Sequence, residues 1–313
     1  MSELPSDALQ GLTVLERGWL SSNNILIHAR PGEAGAWLVD TGHVNHAQQT
    51  VALVRHALAG APLAGVVNTH LHGDHCGGNA ALQRAFDRRA RVPRSMVEAV
   101  HHWDTARLGY DAMGQRCERF EAGGSLAPGE TLRAGARDWE ALASPGHDPD
   151  SLMLFDRAHG VLISADALWR NGFGMVFPEM IGEPGFDDVG ATLDLIASLP
   201  VRVVIPGHGA PFTDVVDALA RSRARLAAFQ SEPMRHSRHA VKVMLKYHLM
   251  EEGSRPLPDL LAWATTSPMT RTVLNTGAAL LGLSARGWCE LLLGELLNAG
   301  VLGLDGAVVR DVG

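Results

Sequence analysis

One pattern recurs along this chain and limits the folds that it can adopt. A short apolar strand runs directly into a loop that carries histidine or aspartate beside glycine or proline. The longest such loop, residues 69–78, has three histidines and one aspartate within six positions. Later loops of the same kind contain His147, Asp166 and His208. Neighbouring strands bring their ends to one edge of a sheet, so we expect these side chains to meet there.

The side chains of the 69–78 loop have the chemistry of a metal site. Residues two apart in extended backbone point the same way, so His70 and His72 can bind one cation. Asp74 and His75 follow the flexible Gly73 and can turn toward a second cation. Imidazole and carboxylate suit zinc, with iron or manganese as alternatives. A ligand set without cysteine leaves coordination positions open for water, which is typical of a catalytic site.

The order of predicted strands and helices indicates an α/β fold. A helix over residues 46–59 has Asn45 as its predicted N-cap, and a second helix is predicted over residues 187–198. We predict strands at residues 13–16, 24–28, 36–39, 65–68, 139–143, 152–155, 161–164 and 201–205.

From about Asp214 the pattern changes to long helical segments. Their breaks fall near residues 232–233, 253–258 and 267–268. A helix over residues 284–298, followed by a hairpin with an Asp-Gly turn, has the outline of a winged helix. We therefore expect a catalytic domain at residues 1–215 and a helical, winged-helix-like domain at residues 216–313.

Composition narrows the class of protein further. Apolar residues make up 46% of the 313 residues and charged residues 19%, which excludes a disordered chain. No stretch has the run of about 18 apolar residues that a membrane span needs, and the first twenty residues lack an apolar signal segment. Cys76, Cys117 and Cys289 are scattered, as free thiols in a reducing compartment would be. We expect a cytoplasmic protein without a membrane partner.

The five motifs together resemble the pattern of the metallo-β-lactamase superfamily, over roughly residues 12–230. That pattern is a His-x-His-x-Asp-His loop followed by a lone His, a lone Asp and a lone His at strand ends. The fold that the resemblance implies is a four-layer αββα sandwich. It also implies a site with this ligand set: His70, His72 and His147 on a first metal, Asp74, His75 and His208 on a second, Asp166 bridging both, and Asp40 orienting the histidine loop.

A site of this kind implies hydrolysis with two divalent ions as cofactors, zinc being the first choice. Two such ions can share a water that ionises near neutral pH and attacks an ester, thioester or lactone carbonyl of a small molecule. Asp74 is the candidate catalytic residue, because its carboxylate can take up the proton of that water. The candidate pocket residues follow the bridging aspartate: Trp169, Phe173, Met175 and Phe177.

Branches of the superfamily differ in residues that this chain can be checked for. Asp166 separates it from true β-lactamases, which lack a bridging carboxylate there. Hydroxyacylglutathione hydrolases carry a second histidine shortly after the lone one, where this chain has only the run from Asp148 to Ser151. Acyl-homoserine lactonases place a tyrosine where this chain has Trp169. The sequence therefore does not identify the particular ester or thioester substrate.

Two alternatives remain beside the small-molecule hydrolase. Some relatives with a winged-helix-like tail are single-strand endoribonucleases, and this chain has a basic strip in that region, formed by Arg221, Arg223, Arg225, Arg235, Arg238, Lys242 and Lys246. The front part is acidic, since residues 216–313 hold eleven Arg and Lys against nine Asp and Glu while the whole chain carries −7. The electrostatic field of this negative charge disfavours a nucleic-acid partner.

The other alternative is a non-catalytic winged-helix binding protein. A tail of this kind packs on the catalytic domain, shapes the pocket or mediates a homodimer.

Overall fold

The computed structural model describes residues 5–313 and contains two facing sheets. The first sheet has the strand order β1-β2-β3-β4-β5-β6. Its first three strands pair antiparallel, and β3 to β6 pair parallel. The strands are β1 Leu12–Leu15, β2 Asn24–Ile27, β3 Ala36–Val39, β4 Leu63–Val67, β5 Ala90–Pro93 and β6 Ala122–Leu126.

Three helices of the first half, over residues 47–58, 79–86 and 97–102, cover the outer face of this sheet. In α2 the apolar residues Val51, Val54 and Leu58 follow helical spacing, so they share one face and pack on Leu38 and Val66 of the strands. The helices of this half are α1 Ser6–Leu9, α2 Ala47–Leu58, α3 Gly73–Cys76, α4 Asn79–Phe86, α5 Val97–His102 and α6 Tyr110–Met113.

The second sheet has the strand order β11-β10-β9-β8-β7, with β10 and β11 parallel and the other pairs antiparallel. Its outer face is covered by helices α8 and α9, whereas α7 packs with the helices that follow the sandwich. The elements are β7 Thr131–Ala134, β8 Arg137–Ala143, β9 Leu152–Asp156, β10 Val161–Ala165, α7 Phe177–Met180, α8 Phe186–Ser198, β11 Val203–Pro206 and α9 Val215–Ser231.

The inner faces of the two sheets form the central core. Ile25 and Val67 of the first sheet belong to one buried cluster with Trp139 and Ile163 of the second. Strands covered on both faces are mainly apolar, which is why β9, β10 and β11 read as apolar runs, interrupted only by Asp156 and Ser164. The expected αββα sandwich is confirmed.

Helices and a small sheet follow the sandwich. The small sheet has the strand order β12-β14-β13, and this region has a buried core of its own. Helix α9 packs instead with the second sheet through Leu219, Leu226 and Phe229. The boundary at 215/216 stays a prediction. The elements are α10 Pro233–Glu252, β12 Ser254–Pro256, α11 Leu257–Thr266, α12 Pro268–Leu281, α13 Ala285–Asn298, β13 Leu302–Asp305 and β14 Val308–Asp311.

Two local predictions are corrected. Asn45 is not the N-cap of α2, because a 3-10 turn over Val44–His46 precedes the helix and the backbone N–H of Asn45 donates to the imidazole of His43. In the last hairpin Asp305 still belongs to β13, and the turn consists of Gly306 and Ala307. The cysteines are free thiols as expected, and none of the helices within residues 5–313 is long and apolar enough to cross a membrane.

Candidate metal centre

Seven buried side chains converge at one edge of the sandwich. They form two groups, and within each group one ligand atom per residue lies within 4.8 Å of the others. Strand ends bring them together, because the loops after β4, β8, β10 and β11 supply all seven. The groups are His70, His72 and His147, and Asp74, His75, Asp166 and His208.

Asp166 lies between the two groups. Its Oδ1 is 3.4 Å from Nε2 of His75, and its Oδ2 is 3.3 Å from Nε2 of His147. One carboxylate thus faces both groups through different oxygens, and its role as a bridging ligand stays a prediction. Nε2 of His208 lies 3.2 Å from Oδ2 of Asp74.

Backbone geometry at the strand ends makes this approach possible. Ala165 has a positive φ of 46°, which turns the chain directly before Asp166. Gly207 lies against the same carboxylate, because a Cβ at this position would be 2.3 Å from Oδ1 of Asp166. A Cβ on Gly174 would likewise be 2.5 Å from Nδ1 of His147. Glycine is therefore required at both positions for the buried groups to pack.

The imidazoles of the first group are held neutral. Burial lowers the pKa of His72 and of His147 to about 4, and the pKa of His70 is also well below its usual value. A neutral imidazole has a lone pair free for a metal. Nδ1 of His147 donates to the carbonyl of Met175 at 2.6 Å, which leaves its Nε2 facing the site.

The second group has the opposite electrostatics. Burial disfavours a charged His75, yet the carboxylates of Asp166, Asp40 and Asp74 outweigh it and hold the pKa of His75 well above its usual value. Burial also opposes ionisation of Asp74 and Asp166, but the adjacent imidazoles keep the pKa of both carboxyls below the usual range. The group therefore concentrates negative charge where a cation would lie.

The donor set fits divalent ions by a direct test. Nε2 of His70 is buried and has no hydrogen-bond partner within the part of the chain that the structure describes. Leaving such an atom unpartnered is costly, and a bound cation would satisfy it. Imidazole and carboxylate donors without thiolate are accepted by Zn, Fe and Mn alike.

Asp40 contacts the histidine loop. One carboxylate oxygen accepts from the backbone N–H of Thr69 at 2.9 Å, and the other lies 2.8 Å from Nδ1 of His75. Asp40 itself has a positive φ of 56°. With Nδ1 facing Asp40, the Nε2 atom of His75 faces Asp166 at 3.4 Å; that Asp40 orients the histidine loop stays a prediction.

A cavity of 920 Å³ opens from the two groups. Of the predicted pocket residues, Trp169, Met175 and Phe177 line it. The prediction for Phe173 is wrong: this side chain is 3% exposed and packs against Phe229 in the core under the second sheet. The spacing of the four residues gives no local reason for this difference, which tertiary packing of the loop against α9 decides.

Sequence reasoning missed several side chains beside the site. Trp19 stacks on the ring of His208 at 5.4 Å, and Oδ2 of Asp148 lies 3.5 Å from Nε2 of His72. Helix α10 forms a wall of the cavity that includes Val243 and Tyr247. Their spacing indicates one helix face, but the same spacing fits ordinary core packing, so the sequence held no specific signal for a cavity wall.

Residues 17–208 match the Metallo-beta-lactamase superfamily, and the chain belongs to this superfamily. The hydroxyacylglutathione hydrolase of Synechococcus sp. (strain JA-2-3B'a(2-13)) is 31% identical over 189 residues, covering 60% of this chain and 64% of that protein. The chain thus spans less than two thirds of this relative's length.

Two solved structures share the fold. A metallo-beta-lactamase family protein from Thermus thermophilus has a TM-score of 0.54 at 20% identity, over 96% of this chain and 98% of that one. A second protein, solved in a di-iron-bound form, has a TM-score of 0.51 at 25% identity, over 68% of this chain and 98% of that one.

Proposed function

We propose that this protein is a metal-dependent hydrolase that cleaves an ester, thioester or lactone bond of a small molecule. The observation that carries the proposal is the convergence of seven buried ligand groups at the base of an apolar-walled cavity. A relative of 31% identity is a hydroxyacylglutathione hydrolase, which adds support for the thioester class. Two divalent ions held there, for which zinc is the first choice, would supply hydroxide at neutral pH and polarise the carbonyl under attack.

The side chains around the cavity have separate tasks in this proposal. Asp74 stays ionised, as a proton acceptor must. The indole N–H of Trp169 donates to Oδ1 of Asp166 at 3.2 Å and so orients the bridging carboxylate. The ring of Phe177 contacts His72 and His147 edge-on and excludes water from one side of the site.

Charge pairing favours a small substrate over RNA. Much of the basic strip is neutralised by nearby carboxylates: Arg221 by Asp214, Arg223 by Asp194, Arg238 and Lys242 by Glu295, and Lys246 by Asp311. Affinity for a nucleic acid comes from Lys and Arg side chains that neutralise phosphates and so release the counterions condensed on the nucleic acid, and side chains already paired with carboxylates are less available for this. We propose that the C-terminal region is winged-helix-like and that its role is to complete the cavity. A homodimer and a cytoplasmic location remain predictions.

The test is a substrate panel combined with removal of metal. Protein purified without added ions would be analysed for metal and assayed on thioesters, including a glutathione thioester, and on lactones, phosphodiesters and single-stranded RNA. We expect turnover of a thioester or lactone, loss of activity on chelation, and recovery with Zn or Mn. An unchanged rate after exhaustive chelation would contradict the proposal. Cleavage of RNA alone would replace it by the nuclease alternative.

A further inference from the structure

The cavity beside the metal groups has cationic side chains in its wall, and most of them are already paired. Arg170 forms an ion pair with Asp214 at 3.1 Å, and Lys242 pairs with Glu295 at 2.5 Å. The ammonium of Lys246 contacts the carboxylate of Asp311. These cations are compensated within the protein and need no further anion.

Arg225 is the exception. This side chain of α9 lines the same cavity, and within residues 5–313 its guanidinium has neither a hydrogen bond nor an ion pair. It is half-buried, so water solvates its charge incompletely, and this burial lowers the pKa of Arg225 below its usual value. The neighbouring His239 does not share this charge, because burial and then the charge of Arg225 lower the pKa of His239 to about 4.

Contacts place Arg225 one loop away from the metal groups. Its Nη1 atom lies against Gly172, where an added Cβ would be 2.4 Å from it. The carbonyl of Gly172 accepts from the backbone N–H of Trp169 at 2.6 Å, and the indole of Trp169 donates to Asp166. A molecule that reaches the metal groups with one end can therefore reach the guanidinium with the other.

We propose that Arg225 is an anion subsite of this cavity, so that the substrate is a small ester or thioester that carries a carboxylate or phosphate group away from the scissile carbonyl. A guanidinium presents two parallel N–H donors that match the oxygens of either group. The apolar walls hold the connecting part of the substrate. The inference rests on the proposed hydrolase for the identity of the bond that is cleaved, whereas the subsite itself does not depend on it.

The kinetic test compares two substrates on matched variants. The substrates are the glutaryl thioester of N-acetylcysteamine, which has a free carboxylate, and its neutral methyl ester. In R225Q we expect KM for the acid to rise about ten- to a hundredfold, the range of charge-assisted hydrogen bonds, with KM for the methyl ester unchanged. R225K should recover part of the loss. R223Q is the control, because Arg223 lies on the same helix but is exposed and paired with Asp194 at 2.7 Å.

A binding test separates this inference from the proposed activity. Glutarate and inorganic phosphate would be titrated into metal-loaded wild type, R225Q and R223Q, with the melting temperature as readout. Stabilisation by either anion that is lost in R225Q alone supports the subsite even if no thioester is hydrolysed. The anion that raises the melting temperature more indicates whether the substrate carries a carboxylate or a phosphate. Equal binding by wild type and R225Q overturns the proposal. Arg225-dependent binding of a single-stranded oligoribonucleotide without binding of either small anion also overturns it.

Discussion

At the scale of single residues, the balance between burial and nearby carboxylates sets the protonation state of imidazoles in the two groups. His75 lies within 4 Å of three of them: Asp40 at 2.8 Å, Asp166 at 3.4 Å and Asp74 at 3.9 Å. His70, equally buried, packs instead among other imidazoles and is neutral. One edge of the sandwich thus combines neutral lone pairs with concentrated negative charge, and both favour divalent cations.

Asp166→Ala tests the bridging residue. The change removes the carboxylate that faces both groups, and loss of one partner from a buried charged cluster is strongly destabilising to the rest. We expect bound metal to fall from two ions to one or fewer and kcat/KM to fall by at least about a hundredfold. Metal analysis and kinetics on the same sample measure both effects. Asp194→Asn, an exposed carboxylate paired with Arg223, is the control. Full turnover with two ions bound would show that Asp166 does not bridge.

Asp40→Asn tests a residue that acts through another. An amide cannot accept from Thr69 and His75 as the carboxylate does, so the ring of His75 loses its fixed orientation. Changes of this kind cost about ten- to a hundredfold in metal affinity. Competition with a chromophoric chelator would measure the loss. Unchanged affinity would assign Asp40 to loop structure alone.

At the scale of elements, the site depends on the residues that directly follow the strand ends. Gly207 follows β11, and there a Cβ would be 2.3 Å from the Asp166 carboxylate and 3.0 Å from the His75 ring. No larger residue fits without moving a side chain of the candidate metal centre. The ends of the strands, more than their interiors, therefore set the geometry of the centre.

Gly207→Ala should reduce bound metal while the protein stays folded, because the clash falls on the metal groups and not on the central core. Gly294→Ala in α13 is the matched control: no described atom lies within 4 Å of its added Cβ. The control should raise the free energy of unfolding by about 0.5–1 kcal/mol through helix propensity and keep its metal. Metal content and thermal unfolding would be compared. Equal metal content in both variants would contradict the role of Gly207.

The same scale shows what the sequence could predict. Apolar runs covered on both faces, such as β9 and β10, were predictable to within a residue, and helices α11 and α12 begin at the predicted breaks. Strands β5 and β6 gave no such signal, because β5 contains Arg91 and β6 has two exposed glycines. The site residues were predictable as strand-end groups, although their roles as ligands remain predictions. The wall from α10 depends on tertiary packing, which no local pattern encodes.

At the scale of the whole molecule, the cavity exists because the C-terminal region docks on the sandwich. Nε2 of His43 lies 2.9 Å from the buried carboxylate of Glu251 on α10. At the other end of α10, His236 packs against the rings of Phe186 and Phe229. Contacts at both ends of one long helix therefore hold the cavity wall in place.

This docking should weaken in acid. Burial lowers the pKa of His236 to about 4, whereas an unfolded chain has a histidine pKa of about 6.5. As pH falls below about 6.5 the unfolded state gains a proton that the native state does not, so the free energy of unfolding falls, and the loss levels off below about pH 4. We expect His236 to contribute a loss on the order of 1–2 kcal/mol between pH 7.5 and pH 5.

The variant His236→Leu isolates this effect, because leucine cannot titrate. Denaturant unfolding of wild type and variant at pH 7.5 and pH 5 would give the free energy of unfolding of each protein. The difference between the two proteins at each pH removes the pH effects that they share. The variant should gain stability relative to wild type as the pH is lowered. A constant difference would show that His236 is protonated without cost.

Each sheet of the sandwich is one unbroken stretch of chain, residues 12–126 for the first and 131–206 for the second. The first stretch supplies four of the seven converging groups, all from one loop, and the second stretch with the loop that follows it supplies the other three. Divalent ions bound by these seven groups would link the two sheets of the sandwich. A polypeptide cut in the exposed turn at residues 128–129 should then reassemble from separately produced fragments more tightly when such ions are added, which makes the centre a natural basis for ion-responsive fragment complementation.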